Sequence, residues 1–239
     1  MKLAVNISLK IIGLCSPKGA IIGPLVICGL MTDEKNEKKL KEIGVKDSKQ
    51  LTPKRREGLV KEIEKIATHI VVLRIPACKI DANRKRGINL NQIEALKMAE
   101  IINLLEPDKA IVDAPSFNTS KFRDYLLSKI ENKNFKLICE NYADENYPVV
   151  SAASIIAKVN RDENIEELKR KVGFNFGVGY SHDPLTIEFL NKLTKENRGK
   201  LPTYVRNTWD TVKRIKKEYS QPRILSFFKQ MFKKKKTTS

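Results

Sequence analysis

The chain has 239 residues, 41% of them hydrophobic, and carries 46 Lys and Arg against 28 Asp and Glu, a formal net charge of +18. That length suits one large domain, or one with a small appendage, and the apolar content suffices for a sizeable core. So large a basic excess argues against a typical enzyme of small neutral metabolites and favours a polyanionic partner, nucleic acid first, with a generally lysine-rich surface as the bland alternative.

Short β-branched apolar runs predict strands at Leu9–Cys15 and Pro24–Thr32. Thr52-Pro53 then opens a helix, with Thr52 as N-cap and Pro53 at the first helical position. A third strand is expected at His69–Pro76 and a helix at Asn89–Leu105, where apolar residues recur at helical spacing. Lys109–Asp113 reads as a strand, Ser120–Ile130 as a helix and Phe135–Cys139 as the last strand. Helices follow at Ser151–Val172, Pro184–Glu196 and Tyr204–Tyr219. This order predicts a mixed α/β sheet covered by helices over residues 1–183, a helical region over 184–219 and a flexible basic tail over 220–239.

Four cysteines, Cys15, Cys28, Cys78 and Cys139, have no Cys-x-x-Cys spacing and read as reduced, buried thiols. The N-terminus has no signal-peptide pattern and no apolar run has bilayer length, so a cytoplasmic monomer with no membrane partner is expected. His69 in an apolar run and Trp209 at helical spacing are expected to pack in the core, while His182 reads equally as a solvated loop residue or a substrate contact.

Two carboxylates carry a chemical expectation. Asp113 sits where a strand runs out into Ala114-Pro115, and Asp144 lies beyond the next strand, before Tyr147-Pro148. Strand-end carboxylates project into the crevice where α/β sheets bind ligands, and a pair can share a divalent metal. The same positions also suit turn residues or helix N-caps.

The segment Ala143-Asp144-Glu145-Asn146-Tyr147-Pro148 through Ser151-Ala152-Ala153-Ser154-Ile155-Ile156-Ala157-Lys158 resembles the signature of ribonuclease HII, an endonuclease for the RNA strand of RNA–DNA hybrids. Lys46-Asp47-Ser48-Lys49, Asn89-Leu90-Asn91, Gly177-Val178-Gly179-Tyr180 and Arg206-Asn207-Thr208-Trp209 resemble further blocks of that family in order. The resemblance covers roughly residues 10 to 219. It implies a ribonuclease H-like mixed sheet, Mn²⁺ or Mg²⁺ as cofactor, and hybrids or embedded ribonucleotides as substrate. It also implies Asp113 and Asp144 as catalytic metal ligands, and Lys18, Gly19, Lys46, Ser48, Lys49, Lys158 and Tyr180 as contacts to the hybrid.

The family's Asp-Glu-Ala-Gly-Arg-Gly motif is absent. In its place stands Cys15-Ser16-Pro17-Lys18-Gly19, one residue shorter, and nothing between Met1 and Thr32 is acidic. A cysteine sulfur is a soft ligand, poorly matched to Mg²⁺ or Mn²⁺. Asn141-Tyr142 and Ser181-His182 depart from the pattern as well. Three readings follow: a nuclease with an unorthodox loop, a non-catalytic hybrid-binding relative, or a defective copy.

Gln221-Pro222-Arg223-Ile224-Leu225-Ser226-Phe227-Phe228 resembles the peptide by which replication and repair enzymes attach to the sliding clamp. Gln221 would be the polar anchor, and Ile224, Phe227 and Phe228 the apolar plug. The alternative is an amphipathic helix packing on its own domain.

Overall fold

The computed structural model describes residues 9–16, 19–46, 48–115 and 118–220. Five strands, β1 (Lys10–Cys15), β2 (Leu25–Asp33), β3 (His69–Ile75), β4 (Lys109–Asp113) and β5 (Lys136–Glu140), form one sheet in the order β3-β2-β1-β4-β5. The β1–β2 and β2–β3 pairs are antiparallel, whereas β4 runs parallel to both β1 and β5. The helices are α1 (Glu37–Glu42), α2 (Pro53–Glu64), α3 (Ala77–Lys85), α4 (Leu90–Leu105), α5 (Thr119–Leu127), α6 (Ala143–Asn146), α7 (Pro148–Val172), α8 (Pro184–Glu196) and α9 (Asp210–Ser220).

Side-chain alternation along β1 sorts the core into two layers. Ile12 and Leu14 face a cluster containing Ile93, Met98 and Ile102 of α4. Ile11 and Cys15 face a second cluster with Val149, Ala152, Ala153 and Ile156 of α7. A Cβ added to Gly13 would sit 2.5 Å from the Val149 carbonyl carbon and oxygen, so a glycine is what lets α7 lie directly on the strand. A third cluster joins Ile21, Ile22 and Ile165 to Phe189, Leu190, Val212 and Ile215, seating α8 and α9 against the chain between β1 and β2.

The expected strands all occur, with ends within a residue of those read from the pattern. The Thr52 cap holds, its side chain accepting from the Arg55 N–H at 3.3 Å, and Asn89 forms a reciprocal capping box with Gln92. The long helix begins at Pro148, earlier than its apolar pattern indicated, because proline suits the first helical turn. The last helix begins at Asp210 and not at Tyr204. Residues 204–206 serve the sheet end instead: the Tyr204 carbonyl accepts from Gly23 N–H at 2.8 Å and the Arg206 N–H donates to the Ile21 carbonyl at 2.9 Å.

Two local expectations are corrected. His69 is exposed, because it is the first residue of edge strand β3. Cys78 is exposed on α3, off the stripe of its buried Ala77, Ile80 and Asp81, and Cys139 is half-buried, leaving Cys15 and Cys28 as the buried thiols. Trp209 packs against the first and third core clusters as expected but is only half-buried, with the guanidinium carbons of Arg84 and Arg206 at 4.8 and 5.0 Å from its ring centre.

Candidate active site

Parallel pairing of β1 with β4 puts their C-terminal ends side by side, with Leu14 opposite Val112 and the next residues, Cys15 and Asp113, on the α7 side. Asp144 arrives from the short helix α6, held where Ser151 Oγ donates to its main-chain carbonyl at 2.6 Å. One donor atom from each of Cys15, Asp113 and Asp144 lies within 4.8 Å of the other two. All three residues are buried, at 3%, 7% and 3% exposure. Cys15 Sγ is 3.8 Å from Asp113 Oδ2.

Ser16, next to Cys15, is also buried. Its Oγ lies 3.5 Å from Oε1 of Glu94, a fully buried residue of α4 on the other side of the sheet. Glu94 was not anticipated as a neighbour of the site.

Serine and lysine side chains from two segments distant in sequence approach Asp144. Ser48 Oγ is 2.9 Å from Ser154 Oγ, which in turn lies 3.5 Å from Asp144 Oδ2. Lys49 Nζ is 3.8 Å from the same oxygen and its side chain is largely exposed. Lys46 is exposed just before this turn.

Tyr180 packs against the chain that follows β1. Gly19 has φ of +88°, and a Cβ there would come 3.7 Å from the Tyr180 ring. Ala20 bridges Tyr180 directly. His182 stacks on Tyr180 at 5.5 Å between ring centres, and Lys158 Nζ lies 5.5 Å from the same ring. Lys18, Gln221, Ile224, Phe227 and Phe228 lie outside the described residues.

Two supporting arginines were missed in the sequence. Arg161 is buried beneath Tyr180 and Arg56 is buried beneath the Ser48 turn, and both pair with Asp162. The readable signal was a polar stripe at helical spacing, Ser151, Ser154, Lys158, Arg161 and Asp162, along the otherwise apolar start of α7. A third buried arginine, Arg206, donates to the Gly23 carbonyl at 3.2 Å and the Pro24 carbonyl at 2.8 Å. Burial, followed by the nearby charge of Arg161, lowers its pKa to about 10.

The donor set can be tested against a metal on its chemistry. One thiol and two carboxylates converging from three elements are enough for a single divalent ion completed by solvent or phosphate oxygens. They do not suit a pair of hard ions, because Ser16 is neutral and lies toward Glu94.

A model of the family described as Ribonuclease HII matches residues 17–212, beginning immediately after Ser16. The chain belongs to the ribonuclease HII family. The Ribonuclease HII of Methanosarcina barkeri is 42% identical over 207 residues, which is 84% of this chain and 92% of that protein. The Ribonuclease HII of Pyrococcus furiosus is 42% identical over 218 residues, 89% of this chain and 95% of its own length. Among solved structures, ribonuclease H2 from Pyrococcus horikoshii superposes with a TM-score of 0.80 at 39% identity, covering 90% of this chain and all of that one. The PCNA:RNase HII complex from Archaeoglobus fulgidus provides a second neighbour, with a TM-score of 0.75, 39% identity, and coverage of 84% and 96%. The fold is therefore the ribonuclease H-like one that the sequence resemblance implied, and divalent-metal dependence is a property of the ribonuclease HII family to which the chain belongs.

Proposed function

We propose that this protein is a ribonuclease HII-type endonuclease that cuts the RNA strand of RNA–DNA hybrids, including single ribonucleotides embedded in a duplex. The observation that carries the reading is the convergence of Cys15 and Asp113, at the ends of the parallel strands β1 and β4, with Asp144 of α6, beside Lys49. Asp113 and Asp144, with the Cys15 sulfur, are the residues that would hold a divalent ion. When bound, such an ion lowers the pKa of a water and screens the phosphate charge.

The chain's own residues supply recognition. Lys46, Ser48 and Lys49 hold phosphates next to the carboxylates, which positions the duplex without reading its sequence. Gly19, with Lys18 beside it, brings backbone close to the ribose, where a 2′-hydroxyl distinguishes RNA from DNA. Tyr180 stacks against the sugar, and Lys158 stands over its ring. The formal charge of +18 favours this polyanionic substrate.

The tail motif Gln221, Ile224, Phe227 and Phe228 would tether the enzyme to a sliding clamp in the cytoplasm, a reading supported by the neighbour solved with PCNA. A Phe227→Ala, Phe228→Ala double variant should lose clamp binding in a pull-down while keeping its affinity for hybrid. Clamp binding that survives both changes would remove the tether from the account.

A second reading, hybrid binding without cutting, is favoured by one observation: Ser16 is turned toward Glu94 where the family resemblance calls for a carboxylate. Incubating a duplex carrying one ribonucleotide with the full chain and a series of divalent cations separates the two. Cation-dependent cutting that Asp144→Asn abolishes supports the nuclease. Tight binding with no cutting under any cation supports the second reading.

A further inference from the structure

The donor chemistry of the Cys15 cluster, one sulfur and two carboxylates, differs from that of an all-carboxylate centre, and that chemistry discriminates among ions. A tetrahedral ion with a bond of about 2.3 Å to sulfur and about 2.1 Å to oxygen holds those two donors about 3.6 Å apart. Cys15 Sγ and Asp113 Oδ2 are 3.8 Å apart, and the third donor, from Asp144, completes a triangle with no side longer than 4.8 Å. A six-coordinate Mg²⁺ prefers oxygen ligands and gains little from a thiolate. The three residues come from β1, β4 and α6, so the triangle is set by the sheet and the start of α7, not by one mobile loop.

We propose that Cys15, Asp113 and Asp144 form a single-ion centre selective for thiophilic divalent cations of the Zn²⁺ and Cd²⁺ class over Mg²⁺. Binding converts the Cys15 thiol to a thiolate, its proton passes to solvent, and the fourth position stays open for water or a phosphate oxygen. The inference rests on the reading of this cluster as the metal centre of a nuclease, and it concerns which ion that centre takes.

The test is binding, independent of cleavage. The full chain is titrated with Zn²⁺ and with Mg²⁺ by calorimetry. Cd²⁺ is added in parallel, and its thiolate-to-metal charge-transfer absorption is recorded. A Cys78→Ser background removes the exposed thiol as a competing ligand. One Zn²⁺ should bind per chain, more tightly than Mg²⁺, with a proton released, and Cd²⁺ should produce the charge-transfer band. Cys15→Ser, nearly isosteric, should abolish the band and weaken Zn²⁺ by more than the ~10–100-fold that loss of an outer-shell partner costs. Cys15→Asp should shift the preference back toward Mg²⁺ and Mn²⁺. Asp113→Asn, which leaves every thiol in place, should weaken Zn²⁺ while the melting temperature reports folding. Equal affinity for Zn²⁺ and Mg²⁺, or a Cd²⁺ band that persists in Cys15→Ser, overturns the proposal. A chain that binds Zn²⁺ through Cys15 but cuts no hybrid upholds this inference and overturns the nuclease reading. Mg²⁺-supported cutting with no Zn²⁺ binding does the reverse.

Discussion

The Arg161 guanidinium lies 4.3 Å from the centre of the Tyr180 ring, and the same group donates to the Val178 carbonyl and to Asp162 Oδ1 at 3.1 Å. Asp162 Oδ2 accepts from Arg56 at 3.2 Å, and Arg56 donates to the carbonyls of Ser48 at 3.0 Å and Leu51 at 2.7 Å. One carboxylate of α7 therefore joins the turn that carries Ser48 and Lys49 to the loop that carries Tyr180.

Asp162→Asn should loosen both segments together. Its partners Arg56 and Arg161 have side chains only 8% and 3% exposed, so removing the carboxylate leaves two buried cations undercompensated. The cost stays below the ~3–5 kcal/mol of breaking a fully buried pair, because Asp162 itself is one-third exposed and solvent-screened. Thermal melts should show a lower midpoint, and hybrid titrations a weaker affinity. Asp162→Glu should restore affinity more than stability if the carboxylate positions the two segments. Equal loss in both variants would mean a merely structural role.

Asp183 should contribute stability that depends on pH. Burial pushes its pKa up, but hydrogen bonds from Val178 N–H at 2.6 Å, Thr186 Oγ1 at 3.0 Å and Leu185 N–H at 3.1 Å more than offset this and hold it below the ordinary 3.8. A depressed carboxylate stabilises the fold above its unfolded pKa, and that contribution fades as pH falls through the folded one. Asp183→Asn should cost about 1 kcal/mol at neutral pH, as for lost helix caps, and flatten the acid limb of the stability curve below pH 3.8. Parallel acid limbs in urea titrations of the two proteins would refute this.

The C-terminal region hangs on Asp81. Its carboxylate accepts from the Asn207 N–H at 2.7 Å, the Thr208 N–H at 3.0 Å and the Thr208 hydroxyl at 2.6 Å. Asp81→Ala strands these donors and should cost about 2–3 kcal/mol, the scale of hydrogen bonds to a charged group. Hydrogen exchange should speed up first in α9, and urea denaturation should give the magnitude.

Gly13→Ala tests the approach of helix to strand. Its added methyl would meet main-chain atoms of Val149 and Val150 at 2.5 to 2.6 Å, and a backbone cannot yield as a side chain can. Overpacking of this kind costs about 1–3 kcal/mol or more. A melting temperature unchanged by the substitution would show that α7 moves freely on the sheet.

Much of this arrangement was legible from local pattern. Lys109–Asp113 and Pro184–Glu196 have the bounds that apolar runs and helical spacing indicated. Periodicity failed where tertiary contacts override it: Tyr204–Trp209 has helical spacing, yet its backbone is drawn into bonds with Gly23 and Ile21. The short α3 and α6 lie below the length at which an apolar stripe shows. At the site, Asp113 and Asp144 could be proposed from their positions at strand ends, but the convergence of Cys15 with them depends on parallel pairing between segments 98 positions apart. The Ser16–Glu94 contact crosses to α4 and has no sequence signature.

The proposed function has Cys15, Asp113 and Asp144 hold a divalent ion that would activate a water for attack on the phosphate. Analysis of product ends from a duplex with one ribonucleotide tests it most directly. Attack by water with the 3′ oxygen as leaving group gives a 3′-hydroxyl and a 5′-phosphate, and this account predicts those ends, produced only with a divalent cation and lost in Asp144→Asn. A 2′,3′-cyclic phosphate, or cutting that persists in Asp144→Asn, would contradict it.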